Sequence, residues 1–320
     1  MFTSPTPRPG WYERHHHLFL GGALRTVEEF FGVNMVNFRT YQVPDAKIQT
    51  PEQALGRLNS WIREIYRPLL FRPDFISQTV RASLLQAQAD GVSVLETSLG
   101  VIFPTLLHRS TSDILAEIAR THMETAPEIA LKLDLGFSRS DSATQQERYL
   151  EDFLETVATH SEFVPYLSGV DLFDVEDAQP PENFVPIYRK AAEVGLKLKA
   201  HVGEFGSAET IRHTVETLDL AEVQHGIHAA DSPEILRFLS ERGTILNLSP
   251  ASNMILRSYD YEQDPHPIRK IFDSGVRFTI STDDYTLFHS SISAQLDALT
   301  PIFSESEMEV IRHTCSIHFS

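Results

Sequence analysis

The sequence predicts an α/β protein, a (β/α)8 TIM barrel with a helical insertion after the first strand. From Gly91 onward, short apolar runs of strand length alternate with stretches of helical pattern. This alternation indicates parallel strands joined by crossover helices. Together with a strand expected near the start of the chain, eight strands are counted, which is the number that closes such a barrel.

Composition excludes several classes of protein. The 320 residues are 42% hydrophobic, enough for one large domain or two small ones. A net charge of −17 argues against a nucleic-acid surface. The single Cys315 excludes an internal disulfide and suits a reducing cytosol. No apolar run approaches the about 18 residues of a membrane span, and the start of the chain lacks a signal-peptide core. We therefore expect a cytoplasmic protein.

The first strand is expected over residues 11–17, after a Pro-rich lead-in of residues 1–10, with residues 11–320 forming one domain. It ends in three consecutive histidines. Because strand side chains alternate, His15 and His17 point to the same side and can bind one ion together. An exposed polar strand end would show the same residues, so the pattern alone leaves both interpretations open.

Residues 21–90 are expected to be helical and to form the insertion. Thr50 and Pro51 are a typical helix start. So long an excursion between two strands predicts a lid over a pocket. The aromatic-rich run of residues 30–41 is a candidate lining, although most apolar residues at such spacing belong to the core.

The remaining strands are expected at residues 92–96, 129–135, 167–172, 196–201, 222–225, 245–248 and 277–281. Helices are expected at residues 112–118, 145–159, 187–194, 207–218 and 267–272. Another helix follows the sixth strand, and we expect a capping box of Asp231 and Glu234 at its start. Gly243 is expected to end it.

Histidine and acidic residues stand at the carboxyl ends of four predicted strands, where barrel enzymes place their chemistry. These residues are His15 and His17, then His201, then His225, and finally Asp283. A random scatter of the 14 histidines would not produce this placement. Three or four imidazole or carboxylate ligands make a catalytic zinc site. The sequence thus predicts a metal site of His15, His17, His201 and Asp283.

A metal there would acidify its water and supply a hydroxide nucleophile. Glu204 is the candidate acid and base, His225 would orient the hydroxide, and Asp284 would hydrogen-bond the substrate. Each has an ordinary explanation when taken alone. Glu204 can interact with a helix N-terminus, His225 can be a buried structural histidine, and the Asp283-Asp284 pair is typical of turns.

Assembled, these residues resemble the adenosine deaminase family of the amidohydrolase superfamily, from His15 to about Phe319. The motifs that carry the resemblance are HHHL at 15–18, GVDL at 169–172, HVGE at 201–204, QHG at 224–226, PASN at 250–253, HPI at 266–268 and STDD at 281–284. The resemblance implies a zinc-dependent deaminase that removes an exocyclic amine from adenosine or a related aminopurine and releases ammonia. It implies one Zn²⁺ per chain, bound by His15, His17, His201 and Asp283, with Asp283 also counted as catalytic.

By the same resemblance, Glu204 protonates a ring nitrogen, His225 positions the hydroxide and Asp284 binds a purine nitrogen. Two departures fall in the substrate pocket. Phe19 occupies the place of an Asp that binds the sugar in adenosine-specific members, and Asp174 replaces a Gly whose backbone contacts the purine. Both are candidate substrate-binding residues that would alter specificity.

Two alternatives stay open. One is a related amidohydrolase that deaminates another heterocycle, such as adenine, a pterin or a pyrimidine. The other is a non-catalytic binding protein on the same barrel, against which Glu204 and His225 argue, because a structural zinc site needs neither. The expected partner is a small-molecule aminopurine or nucleoside, with no nucleic acid and no membrane, while the oligomeric state and the physiological metal stay open.

Overall fold

Eight parallel strands form a nearly closed barrel in the computed structural model, which describes residues 10–35, 50–262 and 266–317. The strands are β1 Trp11–Glu13, β2 Val92–Gly100, β3 Ala130–Ser138, β4 Leu167–Phe173, β5 Lys197–Val202, β6 Glu222–His225, β7 Ile245–Leu248 and β8 Phe278–Ile280. Each strand pairs in parallel with the next one along the chain. The predicted TIM barrel is confirmed.

Helices surround the barrel. The α-helices are α1 Leu24–Phe31, α2 Pro51–Trp61, α3 Phe75–Ala89, α4 Phe103–Leu107, α5 Thr111–Thr125, α6 Ala143–Thr159, α7 Val185–Glu193, α8 Ala208–Leu218, α9 Pro233–Arg242, α10 Pro250–Ile255, α11 Pro267–Asp273, α12 Tyr285–Phe288, α13 Ile292–Leu299 and α14 Glu305–Thr314. A π-helical turn, Ile62–Tyr66, and a 3-10 turn, Arg67–Phe71, follow α2. No helix in these described ranges is long and apolar enough to cross a membrane.

Strand β1 is shorter than the predicted span of residues 11–17 and ends at Glu13. Beyond it the chain pairs with its two neighbours in turn. His16 forms an isolated bridge with Asp283 after β8, and His17 forms one with Ser98 on β2. The histidine run therefore lies where the first and last strands meet. His16 pairs with a residue that follows β8, and His17 pairs with β2 on the other side of the run.

The junction between β1 and β8, which we call the seam, is held by individual hydrogen bonds instead of a regular ladder of paired strands. Near the site, the Asp283 N–H donates to the His15 carbonyl at 2.9 Å. Farther along, the Tyr12 N–H donates to the Cys315 carbonyl at 2.8 Å, and the Ile280 N–H donates to Cys315 Sγ at 3.3 Å. The residue that follows α14 thus fills the gap between the two strands.

Two helix starts were predicted from caps. Thr50 Oγ1 accepts from the Gln53 N–H at 3.4 Å, which confirms the first. The capping box of Asp231 and Glu234 is wrong, because Ser232 is the N-cap of α9 and accepts from the Ile235 N–H.

The described residues of the segment between β1 and β2 carry helices and turns, with no strand among them. Of the aromatic-rich run, Phe31 and Met35 are buried in the core. Residues 36–41 lie outside the described part of the chain.

Candidate active site

The predicted metal ligands come together at the carboxyl ends of the strands. His15, His17, His201 and Asp283 each offer a ligand atom, and these four atoms all lie within 4.8 Å of one another. His15 Nε2 lies 3.0 Å from His201 Nε2. Asp283 Oδ1 lies 3.6 Å from His15 Nε2 and 3.5 Å from His17 Nε2. Three imidazoles and a carboxylate at these distances are a donor set that zinc accepts.

Neighbouring groups orient two of these imidazoles. His201 Nδ1 faces Asp171 Oδ1 at 3.1 Å, and His15 Nδ1 faces Ser249 Oγ at 3.1 Å. Each ring therefore directs its Nε2 to the shared centre, as partners of metal-bound histidines do. The sequence placed Asp171 in a family motif without assigning this role to it or to Ser249, since both contacts depend on the folded barrel.

The electrostatics of the imidazoles fit a cation. Burial, reinforced by the neighbouring His201, holds the pKa of His15 well below its usual value, which favours a neutral ligand. Burial opposes protonation of His201, but the Asp171 carboxylate outweighs it and raises the pKa of His201. Two imidazole nitrogens at 3.0 Å can share either a proton or a metal ion. With His17 and Asp283 in reach, the set of donors fits a divalent metal ion.

The backbone at two of the predicted site residues is unusual. His225 has φ of 62° and Asp283 has φ of 58°, in the left-handed region that few residues other than glycine adopt. Such conformations cluster at functional sites because the surrounding structure must hold them. At both positions, the turn follows directly from a strand end.

A cavity of about 310 Å³ opens on the ligand cluster, and we call it the reaction cavity. Its wall includes Glu204, His225 and Asp284, the three residues predicted to assist catalysis. Glu204 Oε2 lies 3.5 Å from His225 Nε2, which in turn lies 3.7 Å from Asp283 Oδ2. Three of the four predicted ligands, His17, His201 and Asp283, therefore share one cavity with the predicted catalytic residues.

Two carboxyl groups of this cavity have raised pKa values. Burial and the neighbouring charge of Asp283 raise the pKa of Glu204 well above its usual value. The same two causes raise the pKa of Asp284. The buried Asp284 Oδ1 has no hydrogen-bond partner among the described residues. Because Asp284 lines the reaction cavity and an unpaired buried oxygen costs free energy, its carboxyl group is a candidate partner for a ligand.

Asn253 fixes the tautomer of His225. Its Oδ1 accepts from the Tyr261 hydroxyl at 3.2 Å, so its Nδ2 is the atom that faces His225 Nδ1, at 3.3 Å. An amide N–H donating to Nδ1 leaves the proton of a neutral His225 on Nε2. This proton is directed toward Glu204 and Asp283.

Comparison with known proteins agrees with this geometry. The family model described as adenosine deaminase matches residues 42–315. The chain belongs to the adenosine deaminase family. It is accordingly a hydrolase that acts on C–N bonds, a hydrolytic deaminase.

The family includes a putative adenosine/adenine deaminase of Treponema pallidum (strain Nichols), which is 32% identical over 282 residues, 88% of each chain. The fold is similar to an adenine deaminase from Arthrobacter aurescens, with a TM-score of 0.79 and 21% identity, covering 98% of this chain and 95% of that one. It is also similar to an amidohydrolase from Burkholderia ambifaria with bound Zn, with a TM-score of 0.78, 20% identity and coverage of 97% and 86%.

The two residues that depart from the family's pattern lie at different places. Asp174 is exposed and borders the reaction cavity, and its φ of 79° explains why the family pattern has glycine there. Phe19 is buried, and it lines an adjoining cavity instead of the reaction cavity. The structure thus places Asp174, but not Phe19, on the wall that holds the catalytic groups.

Glu176 is a residue beside the candidate site that sequence reasoning missed. One of its carboxylate oxygens accepts from the Gly203 N–H at 2.9 Å. The other accepts from the N–H groups of Glu204, Phe205 and Gly206 at 2.9, 2.7 and 3.2 Å. This carboxylate therefore holds the loop that carries Glu204. The lone signal in the sequence is an acidic residue shortly after β4.

Proposed function

We propose that the chain is a zinc-dependent deaminase that removes an exocyclic amine from an aminopurine of the adenosine or adenine class and releases ammonia. The observation that carries this proposal is that the four-ligand cluster borders, through three of its members, the cavity that Glu204 and Asp284 line. The names of the relatives support an aminopurine substrate.

His15, His17, His201 and Asp283 would bind one Zn²⁺, and the zinc in the similar Burkholderia ambifaria structure supports this choice of metal. Zinc bound there supplies an acidified water for attack on carbon. The pKa of His15, lowered by burial, keeps that imidazole unprotonated and available as a ligand.

The residues of the chain divide the proton transfers among themselves. Glu204, whose pKa is raised by burial and by the charge of Asp283, donates a proton to a ring nitrogen as water adds to the adjacent carbon. His225 directs its Nε2 proton toward the attacking oxygen and orients it. Asp284 hydrogen-bonds another ring nitrogen through its unpaired Oδ1. The added oxygen then gives up both its protons, one to the Glu204 carboxylate, which restores its protonated form, and one to the amine, which leaves as ammonia as the carbonyl bond forms.

The proposal also covers the organisation of the chain. Residues 11–320 would form a single metallo-dependent hydrolase domain after a lead-in of residues 1–10. The helical segment within residues 21–90 would cover the reaction cavity, and Leu58 and Ile62 on its wall support that role. Limited proteolysis that separated two stable fragments would contradict the single domain.

The substitution Glu204→Gln tests the mechanism. It should keep the bound metal, because Glu204 is not a ligand, and lower kcat by about 10²–10⁴-fold through loss of the proton donor. Ammonia release from adenine and adenosine by the zinc-loaded protein measures kcat, and elemental analysis measures zinc. Glu209→Gln, an exposed position on α8, is the matched control.

If Glu204→Gln released ammonia as fast as the unsubstituted protein, the role assigned to Glu204 would be rejected. If the zinc-loaded protein released no ammonia from any aminopurine, the deaminase itself would be rejected in favour of a non-catalytic binding protein.

A further inference from the structure

A second cavity of about 630 Å³ adjoins the reaction cavity, and we call it the outer chamber. The two are adjacent, because they share a set of wall residues. These are His17, Leu20, Asn59, Ile62, Phe173 and Asp174. The reaction cavity lies at the lower end of the about 300–1,000 Å³ typical of ligand pockets, which suits a base alone. The outer chamber is additional space that a bare purine does not need.

The outer chamber is walled mainly by apolar groups. Phe19 packs against Phe103 and Phe75, with ring centroids 4.5 and 5.1 Å apart. Leu106 and Tyr66 complete this wall. Apolar walls of this kind gain free energy by covering apolar ligand surface.

Three polar side chains on the chamber wall already have partners within the protein. Ser98 Oγ donates to Asp171, and Ser138 Oγ donates to Asp174 Oδ2 at 2.7 Å. The amide of Gln146 donates to the Ser138 carbonyl at 2.8 Å. Other polar residues on the wall, among them Asn59 and Asp141, are outnumbered by the apolar ones.

The position of the catalytic groups sets the direction of the substrate. Glu204, His225 and Asp284 line the reaction cavity and do not line the outer chamber. A purine whose amine-bearing carbon lies at these groups then turns its opposite edge toward Asn59 and Asp174, which border both cavities. Groups attached to that opposite edge enter the outer chamber.

We propose that the substrate is an aminopurine that carries an apolar group on the edge remote from its amine, joined directly or through a sugar, and that the outer chamber binds this group. This inference rests on the proposed deaminase and specifies its substrate class. Phe19 is then a specificity residue, because its ring replaces a polar partner with an apolar surface.

Two matched pairs of substrates test the inference on the zinc-loaded protein. They are adenine with 9-propyladenine, and adenosine with 5′-methylthioadenosine, which replaces one hydroxyl by an apolar group. In at least one pair, kcat/KM for ammonia release should be about tenfold or more higher for the apolar member. Equal or lower values for the apolar member in both pairs would overturn the inference while leaving the deaminase intact.

The exposed Arg63 and Arg67 also border the chamber. Adenosine 5′-monophosphate as the best substrate would therefore overturn the inference in favour of an anionic group. No ammonia from any compound would reject the proposed function and the inference together.

A pair of variants on one short helix locates the effect. Leu106→Gln places a polar group on the chamber wall and should reduce the preference for the apolar member by about tenfold. Leu107→Gln makes the same change at a partly buried neighbour that lines neither the chamber nor the reaction cavity. Its preference should equal that of the unsubstituted protein, and an equal loss in both variants would contradict the assignment of the chamber.

Discussion

Glu176 has the most direct effect of any single residue on the position of the proposed proton donor. Its two oxygens accept from four consecutive backbone N–H groups, Gly203 to Gly206. Hydrogen bonds to a charged acceptor contribute about 1.5–3 kcal/mol each. These hydrogen bonds fix the backbone of the loop. The fixed backbone positions the Glu204 side chain, although Glu204 lies in neither a helix nor a strand.

The substitution Glu176→Gln should lower kcat for deamination by about tenfold or more, because an amide retains one acceptor oxygen where four N–H groups need two. Zinc content should be unchanged, since the ligands are elsewhere. Steady-state kinetics with adenine or adenosine and elemental analysis measure both quantities. Asp177→Asn, at the exposed next residue, is the control. A loss in the control as large as in Glu176→Gln would show that the clamp is not the cause.

Individual site residues differ in how far the sequence reveals them. The meeting of His15, His17, His201 and Asp283 was predictable, because each lies at or shortly after the carboxyl end of a strand and parallel strands end at one rim. Glu176 and Asn253 were not assigned roles, because their contacts depend on loop conformations that no periodicity encodes. Asp174 shows an intermediate case. Its φ of 79° accounts for the missing glycine, but the sequence alone does not give that angle.

At the level of elements, helix α9 was predicted correctly, but its N-cap residue was not. Asp231 was expected to cap it, yet its carboxylate accepts from the Tyr259 hydroxyl and faces His228 Nδ1 at 2.8 Å. Ser232, one residue later, directs its Oγ to the Ile235 N–H. The competing partners come from distant segments, so local sequence could not distinguish the two residues.

We expect Ser232→Ala to lower the free energy of unfolding by about 1 kcal/mol, because the N-cap hydrogen bond is lost. Ser232→Thr keeps the hydroxyl and should stay near the unsubstituted protein. Chemical denaturation followed by circular dichroism measures the difference. Identical stability for all three proteins would show that the Ser232 cap contributes nothing.

Strands were predictable as elements, and their ends were not. The alternation of apolar runs and helices gave eight strands, and the barrel has eight. β1 ends at Glu13, earlier than expected, because His16 and His17 pair with different neighbours, Asp283 and Ser98. This pairing with two different neighbours is a consequence of barrel closure. The residue pattern of one strand does not predict it.

For the molecule as a whole, Cys315 reports on the closure of the barrel. The thiol is fully buried at the seam, and burial raises its pKa to about 12. Since the thiolate is the reactive form, the native protein should not react with a disulfide reagent at pH 8 on the time scale of mixing. Denaturant should expose the one thiol of the chain. Immediate reaction in the absence of denaturant would contradict the closed seam.

The seam also separates proposed metal ligands that must act together. His15 and His17 follow the first strand and Asp283 follows the last, and Cys315 joins those strands through Tyr12 and Ile280. An inhibitor or substitution that displaced α14 would therefore weaken zinc affinity through a helix that contributes no ligand of its own. A substitution in α14 could then cause loss of zinc although it changes no residue that binds the metal.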